Sequence, residues 1–224
     1  MGKPVVQLSI REGYRLWAAS YDQEPNPLLA LEQRVARSIL GPLAGRRVID
    51  LCAGTGRWMS IARSAGARVV GIDLTPEMLY CAARKPGCAA VAVGDLNRLP
   101  VRSACEDLAI CSFGLSYVAS VRVALREMAR IARRVMISDL HPSAARAGWS
   151  RSFDTASRKC CIAHYCHSLE EIETEARAAG LSAQFSIPAF FGEPERKIFA
   201  RAGKEHIFDQ VAMIPAIFVQ TWVR

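Results

Sequence analysis

Two glycines separated by one threonine, Gly54 and Gly56 in VIDLCAGTGR, follow directly on an apolar, β-branched run. A strand that enters such a turn and leaves it as a helix brings bare backbone to the carboxyl edge of a sheet, where a side chain would block a ligand's approach. Two acids follow at one-strand intervals. Asp73 closes the run ARVVGIDL, 17 residues after Gly56. A carboxylate there can accept hydrogen bonds from both hydroxyls of an adenosine ribose. Asp95, in VGDLNRLP, is placed to receive an adenine amino group. Either acid alone could be an ordinary loop residue. Turn, first acid and second acid in that order form a pattern for a nucleoside cofactor. The phosphate-cradling GxxxxGK[ST] motif is absent, and the third glycine of the dinucleotide pattern GxGxxG falls on Met59, which weakens a dehydrogenase reading.

Other residues could carry acid-base or metal chemistry. His141, in SDLHP, stands at the end of a strand on the sheet edge where substrates bind, and imidazole titrates near working pH, which makes it the candidate general base. Asp139 lies two residues before it, and Tyr117 could hydrogen-bond an acceptor. The alternative for His141 is a loop histidine without a catalytic role. The segment Lys159 to His167, KCCIAHYCH, concentrates three cysteines and two histidines. On an extended strand Cys160, His164 and Cys166 face one way and Cys161, Tyr165 and His167 the other; the usual CxxC spacing of a zinc site is missing, so no metal site is assigned.

These residues must be positioned by strands and helices. RRVIDLC (46–52), ARVVGIDL (67–74), AAVAVGDL (89–96), EDLAICSF (106–113) and RRVMISDL (133–140) read as five buried strands, because short continuous apolar runs suit a parallel sheet covered on both faces. Between them, RWMSIARSAG (57–66) stops at Gly66 as helices commonly do, and TPEMLYCAARK (75–85) begins with Thr75 as cap and proline in the first turn. VRVALREMARIARR (121–134) sets Val121, Leu125, Met128 and Ile131 on one helical face. Residues 1–45 read as helical, with Tyr14, Trp17 and Tyr21 along one stripe; 141–167 is irregular and then extended. A helix over 168–180 opens with Ser168 and Glu171, and AQFSIPAF (183–190) and PAIFVQTWVR (215–224) are the last strand candidates. Alternating strands and helices imply a doubly wound α/β sheet.

The totals narrow the class. The 224 residues and an apolar fraction of 51% suffice for one sizeable core. No run of 18 apolar residues and no apolar leader stretch is present, so no membrane span is expected and a cytoplasmic location is the simplest reading. Eight cysteines (52, 81, 88, 105, 111, 160, 161 and 166) are scattered through apolar segments, which suits reduced core thiols rather than a disulfide scaffold. The net charge of +8 comes mostly from dispersed arginines with no basic block, so a nucleic-acid partner is not favoured, although it stays open.

DLCAGTG, GIDLTPEML, GDLNRLP and DLAICSF, in this order, resemble the motif series of class I S-adenosylmethionine-dependent methyltransferases, in the small-molecule group that includes the ubiquinone-pathway C-methyltransferases. The resemblance covers roughly residues 14–140 and implies a doubly wound, seven-stranded, mostly parallel Rossmann-like sheet whose last strand is reversed. It further implies one structural domain: an N-terminal helical lid over 1–45, and a core over 46–224 with a substrate-side insertion at about 141–167. S-adenosylmethionine would be the cofactor, S-adenosylhomocysteine its product, and a small molecule the methyl acceptor. Carried over by position, Gly54 and Gly56 line the methionine part of the cofactor, with Asp50 and Ala53 in the same turn. Asp73 binds the ribose, Leu74 and Met78 flank the adenine, and Gly94, Asp95 and Leu96 cover its amino edge. Cys111 to Phe113 lie beneath the sulfonium. YRLWAASYDQEPNPL resembles the family's aromatic lid, which assigns Tyr14 and Tyr21 to the cofactor and Trp17 to the lid; the alternative is an aromatic stripe packed on the core. One departure is Cys52, where the family usually has a glycine.

Methyl transfer from a sulfonium needs alignment of acceptor, methyl and sulfur, and a base only if the acceptor carries a proton. His141 is the candidate for that base and Tyr117 for an acceptor contact. Three alternatives remain: an RNA methyltransferase, from the basic charge; an arsenite or thiol methyltransferase using the Cys160–Cys166 cluster; and a non-catalytic S-adenosylmethionine-binding partner subunit.

Overall fold

The computed structural model describes residues 3–23, 25–86 and 90–224. Cys88 and the first residue of the third predicted strand, Ala89, lie outside the described residues. In chain order the elements are β1 (Val5–Leu8), α1 (Ile10–Trp17), α2 (Pro27–Leu40), β2 (Arg47–Leu51), α3 (Arg57–Ser64), β3 (Arg68–Asp73), α4 (Pro76–Ala83), β4 (Ala90–Val93), β5 (Glu106–Ser112), α5 (Val121–Ile131) and β6 (Ala132–Leu140). They continue with α6 (Pro142–Arg146), β7 (Ser152–Asp154), β8 (Lys159–Ile162), α7 (Leu169–Ala178), β9 (Ser182–Ala189), α8 (Glu193–Arg201), α9 (Phe208–Ala212) and β10 (Ile217–Val223).

Seven strands form the main sheet in the order β4-β3-β2-β5-β6-β10-β9, and β10 runs antiparallel to both of its neighbours. This is the doubly wound, mostly parallel sheet with a reversed last strand that the motif order implied. The apolar runs are continuous because both faces are covered. Val48 on β2 belongs to a core with α2, α3 and α4, whereas the adjacent Ile49 and Leu51 belong to a second core with α5 and α7. The predicted face of α5 is fully buried at Val121, Leu125, Met128 and Ile131. The helix ends at Ile131, three residues before the expected Arg134, because Ala132 turns extended (φ −129°, ψ 153°) and starts β6 at once.

The N-terminal segment differs from its all-helical reading. Val5–Leu8 forms a strand that pairs parallel to Lys159–Ile162, and β7 completes a small sheet in the order β1-β8-β7. The lid and the insertion are thereby hydrogen-bonded to one another above the main sheet's edge. Trp17 at the end of α1 stacks on Phe153 of β7, ring centroids 4.8 Å apart. The helices α8 and α9, which the sequence pattern does not announce, cover α2 and the β9 edge, with Phe199 and Phe208 buried.

Candidate active site

The turn after β2 takes the shape the glycines require. Cys52, Gly54 and Gly56 all have left-handed backbones, with φ of 56°, 55° and 80°. Glycine adopts this region freely, whereas a side chain costs about 1 kcal/mol there, and this accounts for the glycine that resembling sequences carry at the Cys52 position. The Cys52 thiol is pushed well above the usual range by a hydrogen bond with the Cys111 thiol and by burial, so it is a packed neutral group. Met59 stands where a third glycine is often found. The room comes from β3 instead: a Cβ on Gly71 would collide with the Met59 sulfur.

Asp73 does more than end its strand. Its Oδ2 accepts the Gly54 N–H at 2.8 Å and its Oδ1 accepts the Thr75 N–H at 2.8 Å, so one carboxylate ties the glycine turn to the start of α4. Burial raises its pKa, and those two N–H groups oppose the rise. Each oxygen keeps acceptor capacity. Asp95 takes both Asn97 N–H groups, backbone and side chain, on Oδ1, at 2.8 and 2.9 Å, which leaves Oδ2 for another donor. Asp50 is buried beneath the turn and accepts the Met59 N–H at 3.1 Å; burial pushes its pKa up to about 8.

A cavity opens over the carboxyl ends of β2, β3, β4 and β5. Of the predicted cofactor residues, Tyr14, Tyr21, Asp50, Ala53, Gly54, Asp73, Leu74, Met78, Gly94, Asp95, Leu96 and Phe113 line it, as does the candidate Tyr117. Gly56 and Cys111 do not: Gly56 begins α3 facing Ala82, and Cys111 is fully buried below the floor. A carboxylate with spare acceptor capacity at the end of β3, a second one with a free oxygen, buried Met78 and Leu96, and a bare backbone turn are acceptors and apolar surfaces that could hold an adenosine-bearing cofactor.

The other half of the cavity is aromatic. Tyr14 and Tyr21, from the lid, and Tyr117, after β5, are all held above the ordinary tyrosine pKa, chiefly by burial, and the hydroxyls of Tyr14 and Tyr117 lie 2.6 Å apart. Asp22 fastens the lid to the turn, accepting the Thr55 hydroxyl at 2.8 Å and pairing with Lys85 at 2.7 Å.

His141 is not among the residues that line this cavity. It caps α6, its Nδ1 accepting the Ser143 N–H at 3.1 Å, and burial followed by the nearby Arg146 lowers its pKa. Asp139 does not orient it; the Asp139 oxygens accept the backbone N–H groups of Ser116 and Leu140. The physical reason is local: Pro142 starts a helix immediately after the strand, and the histidine becomes its cap. The cysteine-rich segment is a strand only as far as Ile162. Cys160 is buried while Cys166 is exposed, and no cluster of three or more His, Cys, Asp or Glu that could hold a metal is found among the described residues.

The site also contains residues that sequence reading passed over. Arg57 lines the cavity; its Nη2 donates to Glu32 at 2.6 Å and to the Ser112 hydroxyl at 2.9 Å. Glu32 is wholly buried and also accepts the Trp58 indole N–H and the Ser138 hydroxyl. Arg151, in the insertion, lines the opposite wall. Position next to the glycine turn could have flagged Arg57. Nothing in the pattern around Arg151 marks it.

A family model described as a methyltransferase domain matches residues 49–135. A demethylmenaquinone methyltransferase of Mycobacterium bovis is 40% identical over 122 residues, covering 52% of this chain and 50% of the relative. The chain spans about half the length of the curated relatives it matches. Among solved structures, an S-adenosylmethionine dependent methyltransferase from Mesorhizobium loti aligns with a TM-score of 0.68 at 20% identity, over 89% of this chain and 100% of that one. The magnesium protoporphyrin IX methyltransferase of Synechocystis, solved with bound SAH, aligns with a TM-score of 0.65 at 18% identity, over 96% and 97%.

Proposed function

From a methyltransferase domain set in the class I S-adenosylmethionine-dependent methyltransferase fold, we propose that this chain transfers the methyl group of S-adenosylmethionine to a small-molecule acceptor. One observation carries the reading: a single cavity brings the Gly54 turn, Asp73, Met78 and Asp95 together with the aromatic wall of Tyr14, Tyr21 and Tyr117. The cofactor supplies a methyl already activated on a sulfonium. Asp73 and Asp95 hold the adenosine, Gly54 gives it backbone access, and the lid residues exclude water and align the acceptor.

The tyrosines stay protonated and His141 lies outside the cavity, so the chain contributes orientation rather than a strong base. A small acceptor also fits the charge distribution. Arg34, Arg47, Arg57, Arg122, Arg130, Arg177 and Arg196 are paired with carboxylates, and the net charge of +8 that these pairs leave unchanged is carried by cations dispersed along the chain, with no basic block. No helix among the described residues is long and apolar enough to cross a membrane. Cys52, Cys81, Cys105, Cys111, Cys160, Cys161 and Cys166 are free thiols, which suits a reducing compartment.

Calorimetry with S-adenosylmethionine and S-adenosylhomocysteine tests the proposal. Both should bind, and Asp73→Ala should weaken them by about 1.5–3 kcal/mol, the value of hydrogen bonds to a charged group. Absence of binding to the wild-type chain would end this reading.

A further inference from the structure

Arg151 lines the cavity, and the methyl-transfer reading gives it no task. It is 6% exposed, and among the described residues its Nε and Nη2 have no hydrogen-bond partner. Its guanidinium lies over the Phe113 ring, 4.2 Å from the centroid, in the wall that also carries Tyr14, Tyr21 and Tyr117. A buried cation without a counter-charge is costly, and a fold retains one at a cavity wall when a ligand completes it.

The order of the strands fixes which end of the cavity this is. Asp73 and Asp95 belong to β3 and the turn after β4, on one side of β2; Phe113 and Tyr117 follow β5, and Arg151 follows β6, on the other. Arg151, over Phe113, therefore lies on the β5 side of β2 and the two carboxylates on the β3–β4 side, and the β5 side is the half left for the acceptor. We propose that Arg151 is the anchor for a carboxylate on the methyl acceptor, so that the substrate class is a small organic acid with an apolar or aromatic body.

The chain itself shows what the Nε and Nη2 edge takes. Arg34 grips Glu195 with it at 3.0 and 2.8 Å, Arg122 grips Glu175 at 3.0 and 2.9 Å, and Arg130 grips Glu127 at 2.7 and 2.7 Å. At Arg151 the same fork has no carboxylate. The nearby Asp139 carboxylate spends its oxygens on the N–H groups of Ser116 and Leu140 and meets Arg151 only through space, and Arg57, the other cavity arginine, is paired with Glu32. A single guanidinium whose charge is only partly offset matches a monoanion, which favours a carboxylate over a dianionic phosphate or phosphonate. The flanking rings of Phe113, Tyr14, Tyr21 and Tyr117 suit an apolar body beside that charge.

The inference rests on the methyltransferase reading of the same cavity, and the two fail separately. Benzoate, benzamide and phenylphosphonate are titrated, with and without saturating S-adenosylhomocysteine, against the wild-type chain, Arg151→Met and Arg151→Lys. Benzoate should bind the wild type about tenfold or more tighter than benzamide and no weaker than phenylphosphonate. Arg151→Met should lower benzoate to the benzamide level, with S-adenosylhomocysteine affinity within about twofold of wild type, and Arg151→Lys should recover part of the loss. Equal binding of benzoate and benzamide overturns the carboxylate anchor, and tighter phenylphosphonate overturns the substrate class. Parallel loss of benzoate and S-adenosylhomocysteine in Arg151→Met assigns the arginine to the cofactor and also overturns it. Failure of S-adenosylhomocysteine to bind the wild type, with benzoate still selected over benzamide, overturns the methyltransferase reading instead.

Discussion

The Tyr14 hydroxyl, on the first helix, lies 2.6 Å from the Tyr117 hydroxyl, beyond the fifth strand of the chain, and the two rings meet edge to face with centroids 5.4 Å apart. This contact closes the lid on the sheet. Tyr14→Phe removes the bond and strands the Tyr117 hydroxyl in a buried site, so lid docking should weaken by about 1–2 kcal/mol. Amide exchange in α1 should then speed up by roughly tenfold. Tyr117→Phe should do the same and the double variant little more, because the pair acts as a unit. Additive losses would show that the two hydroxyls act independently.

His141→Ala separates a cap from a base. Loss of the cap on α6 should cost about 1 kcal/mol, or some 2–4 °C in melting temperature. Turnover should stay within about twofold of wild type, whereas loss of a general base lowers it by about 10²–10⁴. A drop of that size in kcat would place the imidazole in the reaction.

Asp50 makes stability depend on pH. Its folded pKa, about 8, lies above its usual 3.8, so the folded state favours the protonated acid. The associated stability is fully present below about pH 4 and is lost as the pH rises through about 8. Thermal melts of wild type and Asp50→Asn across this window should show the wild type losing stability with rising pH relative to the variant. Parallel curves would remove Asp50 as the cause. A cationic cofactor bound beside it favours the carboxylate, so S-adenosylmethionine binding near neutral pH should release a proton, seen as a buffer-dependent calorimetric heat in the wild type and not in Asp50→Asn.

Glu32 is the structural hub under the cavity. Glu32→Ala leaves the Arg57 guanidinium without its partner and the Trp58 indole N–H unbonded in the core, so destabilisation of about 3–5 kcal/mol is expected, near 10 °C in melting temperature. Glu32→Gln keeps acceptors for Trp58 and Ser138 and should cost less. A neutral Glu32→Ala melt would mean that water replaces the carboxylate fully.

The residues proposed for the cofactor could be picked out in the sequence, and most of them line one cavity, because their placement is local. Gly54, Asp73 and Asp95 each terminate or follow a strand, and a parallel sheet brings successive strand ends to one edge, so order along the chain becomes proximity in space. The acceptor half was not legible. Arg151 and Phe113 are 38 residues apart and touch only because the segment after β6 folds back over β5. Position at the end of β6 also misled at His141, since a strand end does not tell whether the next side chain turns into the cavity or caps a helix.

Periodicity and glycine spacing thus determined the doubly wound sheet, for it depends on backbone geometry and on neighbours within one strand-helix unit; the reversed last strand followed from the family resemblance, and the residues proposed for the adenosine from the ordered acids together with it. Only the tertiary structure decided that β1 pairs with β8, that Glu32 neutralises Arg57, and that Arg151 stands in the cavity wall with no carboxylate bonded to its Nε and Nη2 among the described residues. Charge balance in a buried site is a sum over side chains from distant segments, and that sum exists only once the chain has folded.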